Sequence, residues 1–221
     1  MPDVLAYYAK ANAHFLSDGV DFWWNDEGET MYFTFHWWNV AERMTLAAFN
    51  STKRFFSINR AYTPGMQRLG ATIWTGDIQV SWQSLAQQPG YQMNWGLAGV
   101  SYVTCDIGGF NGPNTPGDLL ARWYQVGVFL GVMRVHSSIS NMPHFPFLYP
   151  AVDAAAMKYA LNLRYMLIPH HYSLAHEAYL FGRSIFRPLV MEFPTDTSVL
   201  TIQDQWLSGS RLMANVPIAG N

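Results

Sequence analysis

Two aspartates in this 221-residue sequence, Asp26 and Asp77, stand in settings suited to nucleophilic and acid–base chemistry. Asp26 lies in the stretch from Gly19 to Glu29, which opens with the apolar, β-prone residues Val20, Phe22, Trp23 and Trp24 and turns abruptly acidic at Asp26, Glu27 and Glu29. A buried strand ending in carboxylates delivers charge to one rim of a sheet, and in an α/β barrel the C-terminal strand ends are where chemistry sits. The neighbouring indoles suit a sugar, whose C–H faces stack on rings while carboxylates and arginines hold its hydroxyls. Asp77 follows 51 residues later, so only the fold could bring the two together. Two carboxylates flanking a glycosidic bond are the equipment of glycoside hydrolysis, one as nucleophile and one as proton donor. The donor must hold its proton through burial or a neighbouring negative charge, and Trp74 and Gly76 beside Asp77 would allow a tight, partly desolvated pocket. Plainer readings stand beside these: a solvated acidic turn after the first strand, and a helix-capping role for Asp77.

Three further positions extend the set. Asp106 precedes Ile107-Gly108-Gly109-Phe110, where glycines permit close backbone approach to a ligand; the alternative is a turn or cap aspartate. Arg60, at a strand end, could hold a carboxylate or pair with sugar hydroxyls; the alternative is a surface ion pair. Arg134 and His136 share one side of an extended segment, Arg134 as a buttress for Asp106 and His136 as a donor to a sugar hydroxyl. A lone histidine is more often structural. His170, His171 and His176 share a helix, but 171 to 176 is off the one-turn face that a metal pair wants. Neither a metal site nor a cofactor is expected.

The elements that must carry these residues alternate between strand and helix. Helical spacing runs from Asp3 to Asp18 and stops at Gly19, and the strand Val20–Trp24 follows. Further helices are predicted over Val40–Phe49, Trp82–Ala86 and Leu119–Phe129, and further strands over Arg54–Asn59, Ala71–Trp74, Val100–Thr104 and Val132–Val135. Ala154–Phe181 is a long helix that Pro169 should kink or divide, closed by Gly182. Beyond it, Ile185–Phe193, Val199–Ile202 and Trp206–Ile218 read as β-like. Such alternation implies βαβ units around a parallel sheet. Asp26, Arg60, Asp77, Asp106 and His136 all fall at strand ends, the pattern of a barrel rim rather than of a doubly wound sheet with one switch point.

Composition narrows the function classes. Half the residues are hydrophobic and 13% are charged, enough for a core and unlike a disordered chain. A net charge of −2 with 13 basic residues leaves no footprint for nucleic acid or an anionic membrane. The single Cys105 excludes an internal disulfide and a cysteine zinc site. No apolar run approaches the roughly 20 residues of a membrane span. No signal peptide is expected from the first residues, and the sequon Asn50-Ser51-Thr52 leaves the compartment open.

With Trp24-Asn25-Asp26-Glu27-Gly28-Glu29, Trp74-Thr75-Gly76-Asp77, Asp106-Ile107-Gly108-Gly109-Phe110 and Arg134-Val135-His136 in this order, the chain resembles glycoside hydrolase family 31. That family holds α-glucosidases, α-xylosidases and related transglycosylases and lyases. Leu163 to Pro169, Arg187-Pro188-Leu189 and Glu192-Phe193-Pro194 resemble its last barrel helix and exit. The resemblance implies a retaining mechanism on a (β/α)8 barrel, with Asp26 as nucleophile and Asp77 as general acid/base. Arg60, Trp74, Asp106, Phe110 and His136 would line the subsite for the non-reducing sugar of an α-linked oligosaccharide or glycoside, with Trp24 and Arg134 beside them. One departure is Glu27-Gly28-Glu29, where the α-glucosidases commonly carry Met-Asn-Glu.

By the same resemblance Gly19–Trp24 is the fourth barrel strand. The expected fold is therefore α/β: a partial (β/α)8 TIM barrel, about strands 4–8, over residues 1–184, then the start of a C-terminal β-sandwich domain over 185–221. Such a fragment would expose an unpaired strand edge and apolar helix faces, a hazard for self-association. The expected activity is hydrolysis of terminal non-reducing α-glucosyl residues. The alternatives are an α-xylosidase, a transglycosylase or lyase of the family, and a truncated inactive homologue acting as a binding partner.

Overall fold

Short buried strands, each followed by an amphipathic helix or turn, build the first part of the chain. A computed structural model describes residues 2–217, and the chain divides into two compact units, one ending at Trp74 and the next starting at Thr75. The first unit runs α1 (Pro2–Ser17), β1 (Trp23–Asn25), α2 (Thr34–Phe49), β2 (Ser57–Asn59), a 3-10 turn (Met66–Leu69) and β3 (Ala71–Trp74). β1 pairs parallel with β2, and β2 with β3, Asn25 standing opposite Asn59 and Asn59 opposite Ile73. Every residue of β2 and β3 is buried, as a parallel strand covered on both faces requires. Leu46 of α2 packs with Trp23 and Leu16, and Phe35 with Met66 and Ala71. Gly19 (φ +96°) makes the left-handed turn that ends α1.

The second unit contains α3 (Trp82–Leu97), β4 (Val103–Thr104), α4 (Gly117–Gly127), α5 (Ala151–Met166), α6 (Ile168–Phe181), β5 (Phe186–Pro188), the single turn α7 (Leu189–Glu192), β6 (Gln205–Ser208) and β7 (Leu212–Asn215). β5, β6 and β7 form an antiparallel sheet in that order. Its central Trp206 is fully buried, stacks on Phe186 with centroids 4.5 Å apart and meets Phe129 edge-on. The sheet thereby shares one core with α3, α4 and α5. On α3, a Cβ at Gly96 would lie 2.4 Å from Ser184 Oγ and 2.8 Å from the Phe186 carbonyl.

Several sequence expectations need correction. α2 begins at Thr34, six residues before the predicted start, because its aromatic, β-branched opening is held by Phe35 in the core rather than by helix propensity. α3 runs on to Leu97 with Pro89 inside it, a residue buried against the core. Val132–Val135 is no strand: Val135 makes one isolated parallel bridge to Ile107. In the predicted strand Ile185–Phe193 only Phe186–Pro188 is extended, and the chain turns helical after Pro188. Val199–Ile202 is likewise not a strand. It begins on the last residue of a 3-10 turn (Thr197–Val199) capped by Asp196, whose carboxylate accepts from Ser198 N. The long helix divides at Leu167, with Pro169 in the first turn of α6. The end of the predicted segment Trp206–Ile218 lies outside the described residues at Ile218.

Candidate active site

β1 carries Asp26 to the C-terminal edge of the parallel sheet, and β2 carries Arg60 there beside it. The Asn25 carbonyl accepts from Arg60 N at 3.0 Å, so the strands are bonded up to the residues in question. Arg60 Nη1 then reaches Asp26 Oδ1 at 3.2 Å, and its Nε reaches Glu29 Oε1 at 2.6 Å. Asp26 Oδ1 also accepts from Glu27 N at 2.9 Å. Glu27 adopts φ +62°, the one left-handed non-glycine among the described residues, a conformation costing about 1 kcal/mol for an L-residue. At Gly28 a Cβ would lie 2.8 Å from the Trp38 ring of α2, so close packing on that indole requires glycine in the acidic turn. Trp74 ends β3, its ring 5.6 Å from that of the half-exposed Trp24 and 6.0 Å from the Arg60 guanidinium carbon. Asp26, Arg60, Trp24 and Trp74 thus come together within the first unit.

The other candidates lie in the second unit. Asp77 is half-buried in the loop before α3; Ser81, whose hydroxyl accepts from Ser84 N at 3.0 Å, is the cap of that helix, so Asp77 does not cap it. The Asp77 carbonyl accepts from Asn111 Nδ2 at 3.3 Å, and the Ile78 carbonyl accepts from Phe110 N and Asn111 N at 2.8 and 3.0 Å. This ties the loop after β3 to the loop after β4. Asp106 follows β4 fully buried and forms an ion pair with Arg134, the buttress the sequence suggested. Phe110 stacks on His136 at 5.2 Å and 17°, and the Phe110 carbonyl accepts from Ser138 N and Asn141 Nδ2.

Protein atoms stand where a side chain at Gly108 or Gly109 would begin. A Cβ at Gly109 (φ +84°) would lie 2.8 Å from Val80 Cα, and one at Gly108 (φ +103°) 2.3 Å from His144 Nδ1. His144 was not singled out by the sequence, yet it is buried and braces this loop. Its ring nitrogens meet the Ile107 carbonyl and Thr115 Oγ1, both at 2.9 Å. Burial lowers its pKa, which favours the neutral ring. A depression of about 160 Å³ beside His136 is lined by Val135, Ser137, Pro143, His144 and Phe145.

Also unforeseen is a buried polar cluster beneath Asp26 and Arg60, made of Asn25, Asn39, Glu42, Ser57 and Asn59. The signal was present in α2, where Phe35, Asn39, Glu42 and Leu46 recur at helical spacing and place two polar residues on a core-facing stripe. Among the described residues no group of three or more His, Cys, Asp or Glu is placed to hold a metal ion, and no helix is long and apolar enough to cross a membrane.

Residues 1–174 match the TIM-barrel domain of the glycosyl hydrolases family 31. The chain belongs to glycoside hydrolase family 31. Residues 182–219 match the C-terminal domain of the same family. The family 31 chain is 38% identical over 161 residues to a probable glucan 1,3-alpha-glucosidase of Oryza sativa subsp. japonica, and 39% identical over 160 residues to the lysosomal alpha-glucosidase of Rattus norvegicus. These alignments cover 73% and 72% of the chain but 17% of each relative, so the chain spans a small part of their length. Among solved structures, an α-xylosidase from a soil metagenome covers 99% of the chain with a TM-score of 0.90 at 26% identity, 38% of that protein being matched. A glucosidase II alpha subunit covers 86% with a TM-score of 0.80 at 30% identity, 21% of it being matched. A dextranase of Flavobacterium johnsoniae at 24% identity, TM-score 0.91, covering 99% of the chain and 31% of its own, has the same fold. The architecture is accordingly a family 31 TIM-barrel segment with parallel strands, followed by the opening of the antiparallel C-terminal domain.

Proposed function

We propose that this chain carries the nucleophile and the acid/base of a retaining α-glycoside hydrolase acting on terminal non-reducing α-glucosyl residues. The observation that carries the reading is Asp26 at the end of a parallel strand, gripped by Arg60 beside the Trp24 and Trp74 indoles. Glu27 N and Arg60 Nη1 both donate to Asp26 Oδ1, and in this reading Oδ2 attacks the anomeric carbon. The glycosidic C–O bond breaks as Asp77 protonates the departing oxygen. Asp77 then takes a proton from the water that displaces Asp26 from the sugar, so the anomeric configuration is retained. Trp24, Trp74, Arg60, Asp106, Phe110, Arg134 and His136 bind the sugar in this reading, Arg134 by steadying Asp106. The glucosidases among the relatives favour an α-glucoside; the similar α-xylosidase makes an α-xyloside the runner-up.

The test is release of nitrophenol from aryl α-glucoside and α-xyloside by the purified chain, beside Asp26→Asn. Turnover lost in that variant supports the nucleophile, and the better substrate names the sugar. Undiminished turnover in Asp26→Asn overturns the assignment. Asp77→Ala should hurt poor leaving groups far more than activated aryl ones.

A second reading is favoured by the exposed Tyr159, Met166, Tyr172, Tyr179 and Phe181 on α5 and α6: a non-catalytic chain that binds a partner through these apolar faces. A soluble, self-associating chain without turnover would speak for it.

A further inference from the structure

Glu42 lies on the inner side of α2 with no exposure to solvent. Its Oε2 accepts one N–H of the Asn25 amide at 3.1 Å, and the other N–H of that amide reaches Asn59 Oδ1 at 3.0 Å. Asn39, one turn earlier on α2, donates to the same Asn59 Oδ1 at 2.6 Å and accepts from Ser57 Oγ. Asn59 Nδ2 in turn donates to Ser57 Oγ at 2.9 Å and to the Thr72 carbonyl at 3.1 Å. Asn25 and Asn59 stand opposite each other in the sheet, and each immediately precedes a residue of the candidate site, Asp26 and Arg60. One buried network therefore fixes both strand ends. Glu42 Oε1 has no hydrogen-bond partner among the described residues. A buried carboxyl oxygen left without a partner is costly.

We propose that Glu42 is the positioning residue for the Asp26–Arg60 pair, acting through the Asn25 and Asn59 side chains. The catalytic meaning of this rests on the reading of Asp26 as nucleophile; the coupling itself does not. Among the described residues no cation pairs with Glu42. From α1 its titratable neighbour is Tyr8, whose own ionisation is made harder by burial and by the Glu42 charge. From β1 and β2 the network presents the neutral amides Asn25 and Asn59. On its own helix Arg43 turns away to the Arg68 carbonyl at 3.0 Å. Burial accordingly raises the Glu42 pKa to about 7, with the Asn25 hydrogen bond pulling it back down. Both forms are populated near neutrality. Ionised Glu42 holds Asn25 by a charge-assisted bond, and neutral Glu42 holds it by an ordinary, weaker one. The grip on the two strand ends tightens as pH rises through that range.

The test is a pH series by NMR on the 221-residue chain, Glu42→Gln and Glu42→Leu, following the Asn25 and Asn59 side-chain amides, the Asp26 carboxyl carbon and the Arg60 Hε. The expected result is one shared step near pH 7 in the native chain. Glu42→Gln, which keeps the acceptor and loses the proton, should keep the amide hydrogen bonds and lack the step. Glu42→Leu should broaden or displace all four signals; if it fails to fold, Glu42→Gln decides alone. On an aryl α-glucoside, kcat of the native chain should carry the same step and kcat of Glu42→Gln should not, with KM within about twofold. Titration of Glu42 below about pH 5, its ordinary range, overturns the proposal. So does a Glu42 step that Asp26 and Arg60 do not sense. A step present in a chain without turnover supports the coupling and overturns the function proposed above.

Discussion

Arg60 Nε lies 2.6 Å from Glu29 Oε1, nearer than its Nη1 lies to Asp26 Oδ1 at 3.2 Å. The guanidinium is thus shared between the candidate nucleophile and the last residue of the acidic turn. Glu29 has 43% of its side chain exposed, and an ion pair so wetted adds less than about 1 kcal/mol to stability. Its effect should lie in aiming Arg60. Glu29→Gln is expected to leave the urea unfolding midpoint nearly unchanged while lowering kcat/KM on an aryl α-glucoside by roughly tenfold. A stability loss with unchanged kinetics would show the pair to be structural.

Glu42 links folding to pH independently of any activity. Its folded-state pKa, about 7, is raised above the ordinary 4.5. Between those values the folded chain keeps a proton that the unfolded chain has lost. Stability from this group is therefore fullest below pH 4.5, falls as pH rises towards about 7, and levels off above. The loss is on the order of 3 kcal/mol. Urea unfolding of the native chain and of Glu42→Gln across this window should show that difference closing in the variant.

Gly108 and Gly109 should tolerate no side chain. A methyl at Gly108 would meet the His144 ring at 2.3 Å in a left-handed backbone, and His144 is itself held by the Ile107 carbonyl and Thr115. Gly108→Ala is expected to cost roughly 2–4 kcal/mol. Thermal unfolding measures it, and a loss below about 0.5 kcal/mol, the surface level, would mean that the loop yields.

Cys105 is fully buried between β4 and the Asp106 loop, and burial pushes its thiol up to about 12. The thiolate is the reactive form. A disulfide reagent should leave the native chain unlabelled at neutral pH and label it one-for-one in denaturant. Rapid native labelling would mean that this strand opens to solvent.

Much of this was legible in the residues. Local signals located α1, the α5–α6 division announced by Pro169 and the buried strand Ala71–Trp74: a stripe, a missing N–H, an apolar run. Asp26 and Arg60 were recognisable as strand-end residues, and the tie from Arg134 to Asp106 followed from their positions. The full length of α2 and α3 was hidden, since aromatic residues at Thr34–Trp38 and Pro89 argue locally against helix and only packing overrides them. The Glu42 network escaped because its partners lie 17 and 20 residues apart along the chain, Glu42 with Asn25 and Asn39 with Asn59. His144 escaped because what it braces, a glycine turn, shows its need only in three dimensions.

The approach of Gly96 to Ser184 and Phe186 bears on how such chains can be recombined. Gly182, φ +65°, looks like a natural seam, with the barrel helices before it and the antiparallel sheet after. Yet the sheet's first strand beds against a glycine on α3, far upstream, and Trp206 meets Phe129, two residues past α4, in the core that α4 shares. A chimaera joined at that seam, with β5 to β7 taken from one relative and α3 from another, inherits a lock without its key wherever position 96 gains a side chain. The inheritable module is the sheet together with α3 and α4.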